Sequence, residues 1–164
     1  MLIELPAVPP EGASTVTGTM TFGIGSQANN ALGPATVLKS SSSTGYVSTS
    51  LDGTRFSSSF IDSGSNGLFF PSSTLKKCGV WYCPVSPQTF SATLSSTSGA
   101  SAAVTFSVST SSTLFAGPNY AFNNLAGAAS GSFDWGLPFF YGRRVFTALK
   151  GSVTPAGNGP YYAF

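Results

Sequence analysis

The chain has 164 residues, enough for one domain with its own core, and 41% of them are apolar. Charge is scarce: 7 Lys and Arg, 5 Asp and Glu, no His, or 7% charged where about 25% is usual. A net charge of +2 without clustered Lys or Arg leaves no footprint for nucleic acid or an anionic membrane, and the lack of His removes Ser-His-Asp and Cys-His catalysis together with His-ligated metals.

Five carboxylates, two cysteines, hydroxyls and backbone amides are what remain for chemistry. Ser and Thr together make up roughly 27% of the chain. The 13% aromatic content and a mean hydropathy of +0.20 argue against disorder. Helix formers are few, so the composition predicts an all-β protein whose exposed positions carry hydroxyls rather than charges. No apolar run approaches the ~18 residues that span a bilayer, so no membrane span is expected.

Residues 1–13 are Pro-rich and read as a lead-in, a linker or an edge strand, because Pro6, Pro9 and Pro10 cannot donate to a ladder. The direct entry of Met1-Leu2-Ile3-Glu4-Leu5-Pro6 into an apolar extended segment suggests a chain continuing from something larger. Residues 14–164 read as one domain. From Thr15 to Ile24, the alternation of Val16, Gly18, Met20, Phe22 and Ile24 predicts a half-buried strand. A short strand around Ala35–Lys39 and a Ser-rich loop tip at 40–45 follow. Asp52-Gly53 then joins two extended runs as a hairpin, and the second run, Arg55 to Ile61, delivers the chain into Asp62-Ser63-Gly64-Ser65-Asn66-Gly67.

Leu68-Phe69-Phe70-Pro71 is a short buried run, and Ser72–Lys77 is the best candidate for a turn or two of helix, with Lys76-Lys77 at its C-terminal end. Residues 78–90 read as a Cys- and Pro-containing loop. Alternation returns from Ala102 to Val108, and Leu114-Phe115 opens another short strand. Gly127–Gly131 is a loop, Phe133–Leu149 the most apolar stretch, and Tyr161–Phe164 a strand that closes a sheet edge. Arg143-Arg144 read as a solvated strand edge that discourages pairing.

The chemistry concentrates in Phe60-Ile61-Asp62-Ser63-Gly64-Ser65. A strand ends at the Asp, Ser-Gly turns tightly, the Gly lets backbone amides approach the carboxylate, and hydroxyls donate to it. The plainer reading is an Asx-type turn after a strand. A calcium loop fits worse, because Gly64 and Ser73 stand where ligands belong. Phe22-Gly23-Ile24-Gly25-Ser26-Gln27-Ala28 mimics a dinucleotide fingerprint, but Asn29, Asn30, Gly33 and Pro34 disfavour the helix that must follow. Cys78 and Cys83 have four residues between them and no other Cys or His to complete a metal site. They read as a local disulfide of an oxidising compartment, the alternative being two free thiols in the cytosol.

The segment from Ser59 to Pro71 resembles the active-site loop of pepsin-like aspartic proteases. Gly18–Gly25 resembles the strand that opens the C-terminal lobe of that fold, Trp135-Gly136-Leu137-Pro138-Phe139-Phe140 its late apolar-Gly segment, and Tyr161–Phe164 its closing strand. Most closely, residues 5–164 resemble the C-terminal half of a bacterial family of unknown function that carries one such motif in each half. The resemblance implies a single lobe of the acid-protease, double-psi β-barrel type, with one or two short helices.

It also implies a mechanism. Two carboxyls, one per lobe, share a proton and hold a water, so that one acts as general base while the other donates to the scissile carbonyl. Asp62 would be one of the two, Ser65 would bond its outer oxygen, Gly64 would donate its amide, and Ser63 (commonly Thr) would brace the lobes. Only one motif is present, so a second lobe is needed, either a missing N-terminal half or a second copy of the chain. Asp134 stands where the family usually has an apolar residue. It reads first as a strand-end or turn carboxylate, and alternatively as a modulator of Asp62 beneath the cleft. Small Cys loops after the active-site turn also occur in such lobes, whereas a flap Tyr is not identifiable and Tyr46 is a weak candidate.

A peptide substrate, no cofactor and no metal are implied, in a secreted, periplasmic or cell-envelope protein. The competing reading is a non-catalytic β-rich binding or structural domain of the cell envelope. A lone lobe is expected to expose an apolar interface around Leu68, Phe69 and Trp135.

Overall fold

Alternation of apolar with hydroxyl-bearing residues sets the architecture, since side chains on a strand point to opposite faces in turn. The computed structural model describes residues 1–164, with 41% of them in strands and 7% in helices. In chain order the elements are β1 (Leu2–Leu5), β2 (Thr19–Thr21), β3 (Val37–Lys39), β4 (Val47–Leu51), β5 (Thr54–Ile61), β6 (Leu68–Phe70), β7 (Lys77–Cys78), β8 (Trp81–Tyr82), β9 (Gln88–Ser95) and β10 (Ser101–Val108). The rest are α1 (Ser111–Phe115), β11 (Ala126–Ala128), β12 (Phe133–Trp135), β13 (Arg143–Ala148), β14 (Val153–Thr154), β15 (Gly157–Asn158) and β16 (Tyr161–Ala163). A strongly curled nine-stranded sheet, β10-β9-β4-β5-β12-β6-β11-β8-β7, lies with a five-stranded sheet, β2-β1-β13-β16-β3, and a small ribbon, β14-β15. The result is a β-barrel-like lobe of the all-β class.

The β4–β5 hairpin turns on Asp52 and Gly53, whose φ angles of 49° and 78° are the pair of left-handed values that a type I′ turn needs. The decisive pairing lies further on. Strand β12 runs parallel to β5, with Trp135 opposite Ile61, and antiparallel to β6, with Asp134 opposite Phe69. It thus passes between the strand that enters loop 62–67 and the strand that leaves it.

An aromatic stack fixes that strand. Phe133 stacks on Phe70 at 4.9 Å and on Trp135 at 4.3 Å between ring centroids, while Phe106 meets both Phe133 and Trp135 edge-on. The fully buried Trp135 indole donates from Nε1 to the equally buried Thr49 Oγ1 at 2.9 Å, which ties β12 across β5 to β4.

Several expectations from the sequence are corrected. Within residues 1–13, Leu2–Leu5 is not a linker or edge strand but an interior one, paired with β2 and β13; the prolines start only at Pro6, so its donors are intact. The strand expected over 15–24 shrinks to Thr19–Thr21 at a sheet edge, where Met20 and Phe22 stay exposed because β2 pairs only with β1 and nothing covers that face. Ser72–Lys77 is not helical. Ser72 Oγ accepts the N–H groups of Thr74 and Leu75, a local alternative to a helical turn, and Lys77 belongs to a strand.

The one α-helix is Ser111–Phe115, where alternation predicts a strand at Leu114-Phe115. Strands β7, β8 and β9 occupy parts of the expected loop at 78–90, and β11 part of the one at 127–131. Arg143-Arg144 are in β13 and Tyr161–Ala163 in β16, both interior to the sheet, so neither marks an edge. Arg144 tolerates that place because its register partner is Glu4, whose Oε1 it meets at 2.8 Å. Leu68 and Trp135 form no exposed interface: both are buried in the chain's own core, and Phe69 packs on Trp81.

Replacing Thr49 by Val keeps the volume near constant and strands the indole N–H. Thr49→Val is expected to lower stability by ~1–3 kcal/mol in urea unfolding. A loss well under that range would show that the indole N–H finds another acceptor.

Candidate functional site

Three elements build the site: the end of β5, the loop 62–67, and the crossing of β12 into residues 136–137. Ile61 is buried, so the next residue, Asp62, leaves the sheet half-exposed. The Asp62 N–H donates to Trp135 O at 3.0 Å, and the Leu137 N–H donates to Ser65 O at 2.7 Å. The loop is therefore clasped at both ends by the 135–137 segment. Gly136 makes the clasp sterically feasible, because a Cβ there would lie 2.0 Å from Gly67 O and 2.7 Å from Ser65 O.

Each carboxylate oxygen of Asp62 has one donor. Gly64 N–H reaches Oδ1 at 2.8 Å, and Ser65 Oγ lies 2.9 Å from Oδ2. A Cβ on Gly64 would sit 3.1 Å from Oδ1, tight enough to push the carboxylate away, so the glycine that the motif demands at this turn has a direct steric basis. Ser63 and Gly64 are exposed, Ser65 half-buried.

Asp134 is where the chain departs from a simple turn. It is not a strand-end or turn carboxylate at the surface: it lies within β12, is 8% exposed, and puts Oδ2 2.7 Å from the same Ser65 Oγ. Its other oxygen, Oδ1, is buried with no partner in the protein. Burial pushes the Asp134 carboxyl up to about 6; the Ser65 hydrogen bond opposes this and the Asp62 charge adds to it.

A hydroxyl has one proton and cannot donate to both carboxylates at once. When Ser65 donates to Asp62, Asp134 must itself be protonated and donate to Ser65 Oγ. Burial of Asp134 favours this arrangement below about pH 6, where the series runs Asp134 to Ser65 to Asp62.

Tyr162, read from the sequence only as part of a closing strand, also belongs here. Tyr161 and Ala163 are buried, so alternation turns Tyr162 to the other face. Burial raises its phenol above the ordinary value, against a hydrogen bond at Ile61, and the Asp62 charge adds to the rise. Tyr46 stacks on Phe60, two residues before Asp62, at 5.8 Å between ring centroids. Asp62 and Asp134 are the carboxyls that the fold gathers, and no group of three or more His, Cys, Asp or Glu forms. Away from the site, Cys78 in β7 and Cys83 just after β8 are joined in a disulfide.

The family model described as "Protein of unknown function (DUF3443)" matches residues 1–164. The chain belongs to the DUF3443 family. No curated protein and no solved structure matches it. No helix of this DUF3443 chain is long and apolar enough to cross a membrane.

Two measurements test this geometry in the DUF3443 chain. A raised carboxyl binds its proton more tightly in the folded state, so Asp134 stabilises the fold fully below the unfolded value near 3.8. That contribution is lost as the pH rises to about 6. Urea midpoints are expected to fall across this window by the equivalent of ~3 kcal/mol, and Asp134→Asn to flatten that part of the profile. An unchanged slope in Asp134→Asn would place the titration elsewhere. Gly136→Ala must part the loop from β12 and is expected to destabilise by ~2 kcal/mol or more in thermal unfolding, as overpacking does.

Proposed function

We propose that this DUF3443 chain is one lobe of an aspartic-peptidase-like protein. Asp62 supplies one carboxyl of a two-carboxyl site for peptide hydrolysis, and a second lobe supplies the other. The observation that carries this reading is the presentation of Asp62: half-exposed at the end of a strand, one oxygen fixed by Gly64 N–H and the other by Ser65 Oγ, in a loop clasped beneath by β12. The passage of β12 between β5 and β6 supports the resemblance to a pepsin-like lobe, since it is what holds such a loop rigid.

In the assembled site a water would sit between Asp62 and its counterpart. One carboxylate takes the water's proton as it attacks the peptide carbon, and the other, protonated, donates to the carbonyl oxygen. Asp134 is not that counterpart, because Ser65 Oγ stands between it and Asp62. Its place is to orient Ser65 from below and to keep a proton in the series. Ser63, exposed at the turn, faces whatever closes over the loop. The counterpart comes from an N-terminal lobe or from a second copy of the chain. The disulfide is compatible with a secreted, periplasmic or cell-envelope location.

The test is hydrolysis of a peptide library between about pH 3 and 6 by the full-length protein, with and without pepstatin. Asp62→Asn is expected to lower kcat/KM by ~10³-fold or more. Equal turnover in Asp62→Asn would end the hydrolytic reading and leave a non-catalytic β-rich domain of the cell envelope.

A further inference from the structure

The curled nine-stranded sheet ends at β10, which pairs with β9 on one side and with no strand on the other. At 8 residues it is the longest strand at any sheet end, and its register with β9 runs without a bulge from Ser101 opposite Ser95 to Val108 opposite Gln88. Proteins usually blunt such an edge with charge, Pro or a bulge, because its unpaired backbone groups invite another strand. Ser101-Ala102-Ala103-Val104-Thr105-Phe106-Ser107-Val108 carries none of these.

The β9–β10 hairpin decides which backbone groups are free. Ser96 N–H donates to Ala100 O at 2.8 Å, so that pair is a hydrogen-bonded one. Opposed pairs in an antiparallel ladder alternate between bonded and non-bonded. Ala102, Val104, Phe106 and Val108 therefore bond to β9, and Ala103, Thr105 and Ser107 turn their N–H and C=O groups outward. Ser109 continues the outward series, and its N–H donates to Asn124 O at 2.9 Å. The edge is thus paired where the chain passes it at Asn124, while the outward groups of Ala103, Thr105 and Ser107 meet no partner in the protein.

A groove of about 340 Å³ follows this edge. Val104, Thr105, Phe106 and Ser107 line it in succession, roughly 13 Å of strand. Neighbouring side chains on a strand point to opposite faces, so a groove that touches all four lies along the backbone edge rather than on one face. Pro10, Pro87 and Pro138 are also in its lining and have no N–H to give to the free carbonyls. We propose that β10 takes an extended peptide segment of a partner protein as an added strand in this groove, with the outward N–H and C=O groups of Thr105 and Ser107 pairing to its backbone. Strand addition of this kind draws its affinity from main-chain bonds, and two outward residues separated by one inward residue match the spacing of a single added strand. Asp62 does not line the groove, so the inference stands apart from hydrolysis and its test reads binding alone.

The probe is acetyl-Thr-Val-Thr-Val-Glu-amide, with Glu included because Arg143 is the charged residue that lines the groove. It is titrated into the intact chain and followed by backbone-amide NMR. Saturable shifts at Ala103, Thr105 and Ser107 are expected, with a dissociation constant of about 1 mM or tighter. Two N-methylated forms of the probe, one altered at both valines and one at both threonines, test the strand geometry. An added strand turns alternate N–H groups to β10, so one form is expected to bind at least ~tenfold more weakly and the other within ~threefold of the parent. Thr105→Pro deletes an outward N–H and no bond to β9, and is expected to weaken the parent peptide at least ~tenfold. No saturable shift at these amides up to about 10 mM overturns the proposal, as does loss or retention of binding in both methylated forms alike. Concentration-dependent shifts at the same amides without peptide, abolished in Thr105→Pro, would assign the edge to a second copy of the chain and overturn it as well. The methylation comparison uses the unaltered protein, so a folding defect in Thr105→Pro does not blunt it.

Discussion

A strand of three residues cannot hold its place in a sheet by hydrogen bonds alone, yet β12 keeps loop 62–67 in position from below. It stays because Phe133 and Trp135 are inserted among Phe70 and Phe106 on one side, while the Trp135 indole is anchored on Thr49 two strands away. Side-chain alternation then leaves Asp134, the residue between those two aromatics, facing Ser65. The same short strand therefore supplies core, clasp and carboxyl. Moving it by one residue would expose two aromatics and bury Asp134 in the stack.

The electrostatics of the site follow from a count of protons rather than of charges. Two carboxyls converge on one hydroxyl, and one hydroxyl proton serves only one of them. Burial decides which, since Asp134 is enclosed and Asp62 is half open to solvent. Ser65 is the pivot of this arrangement, and Gly64 and Gly136 are what let backbone come close enough on either side. The geometry needs no basic residue nearby, consistent with a chain so poor in cations.

Much of this was legible in the sequence. The Asp52-Gly53 hairpin, β5, the turn at Asp62 and the apolar run of β6 are all local, and each announces itself through turn chemistry or alternation. What the sequence did not disclose is non-local. Asp134 looks like any strand-end acid until β12 is known to run between β5 and β6, and it meets Ser65 from 69 positions further along the chain. Tyr162 lies close enough to Asp62 to feel its charge although the two are far apart in the chain. The misreadings have the same origin. Met20 and Phe22 alternate correctly but lie at a sheet edge with no cover, and Arg143-Arg144 look like a strand edge although β13 lies between β1 and β16, with Arg144 still exposed and paired to Glu4. Leu68 and Trp135 read as surfaces awaiting a partner lobe, yet the chain's own curled sheet encloses them.

The scarcity of ionisable groups has one more effect. With 5 acidic residues in the chain, Asp134 is the one that is buried and the one whose carboxyl is pushed up by that burial. A protein with a dense charge lattice blends many such titrations into one broad curve. Here the exterior is covered mainly by hydroxyls with only four acids among them, and Asp134 is the carboxyl that couples the acidity of the surroundings to the interior, at the point where β12 meets the loop.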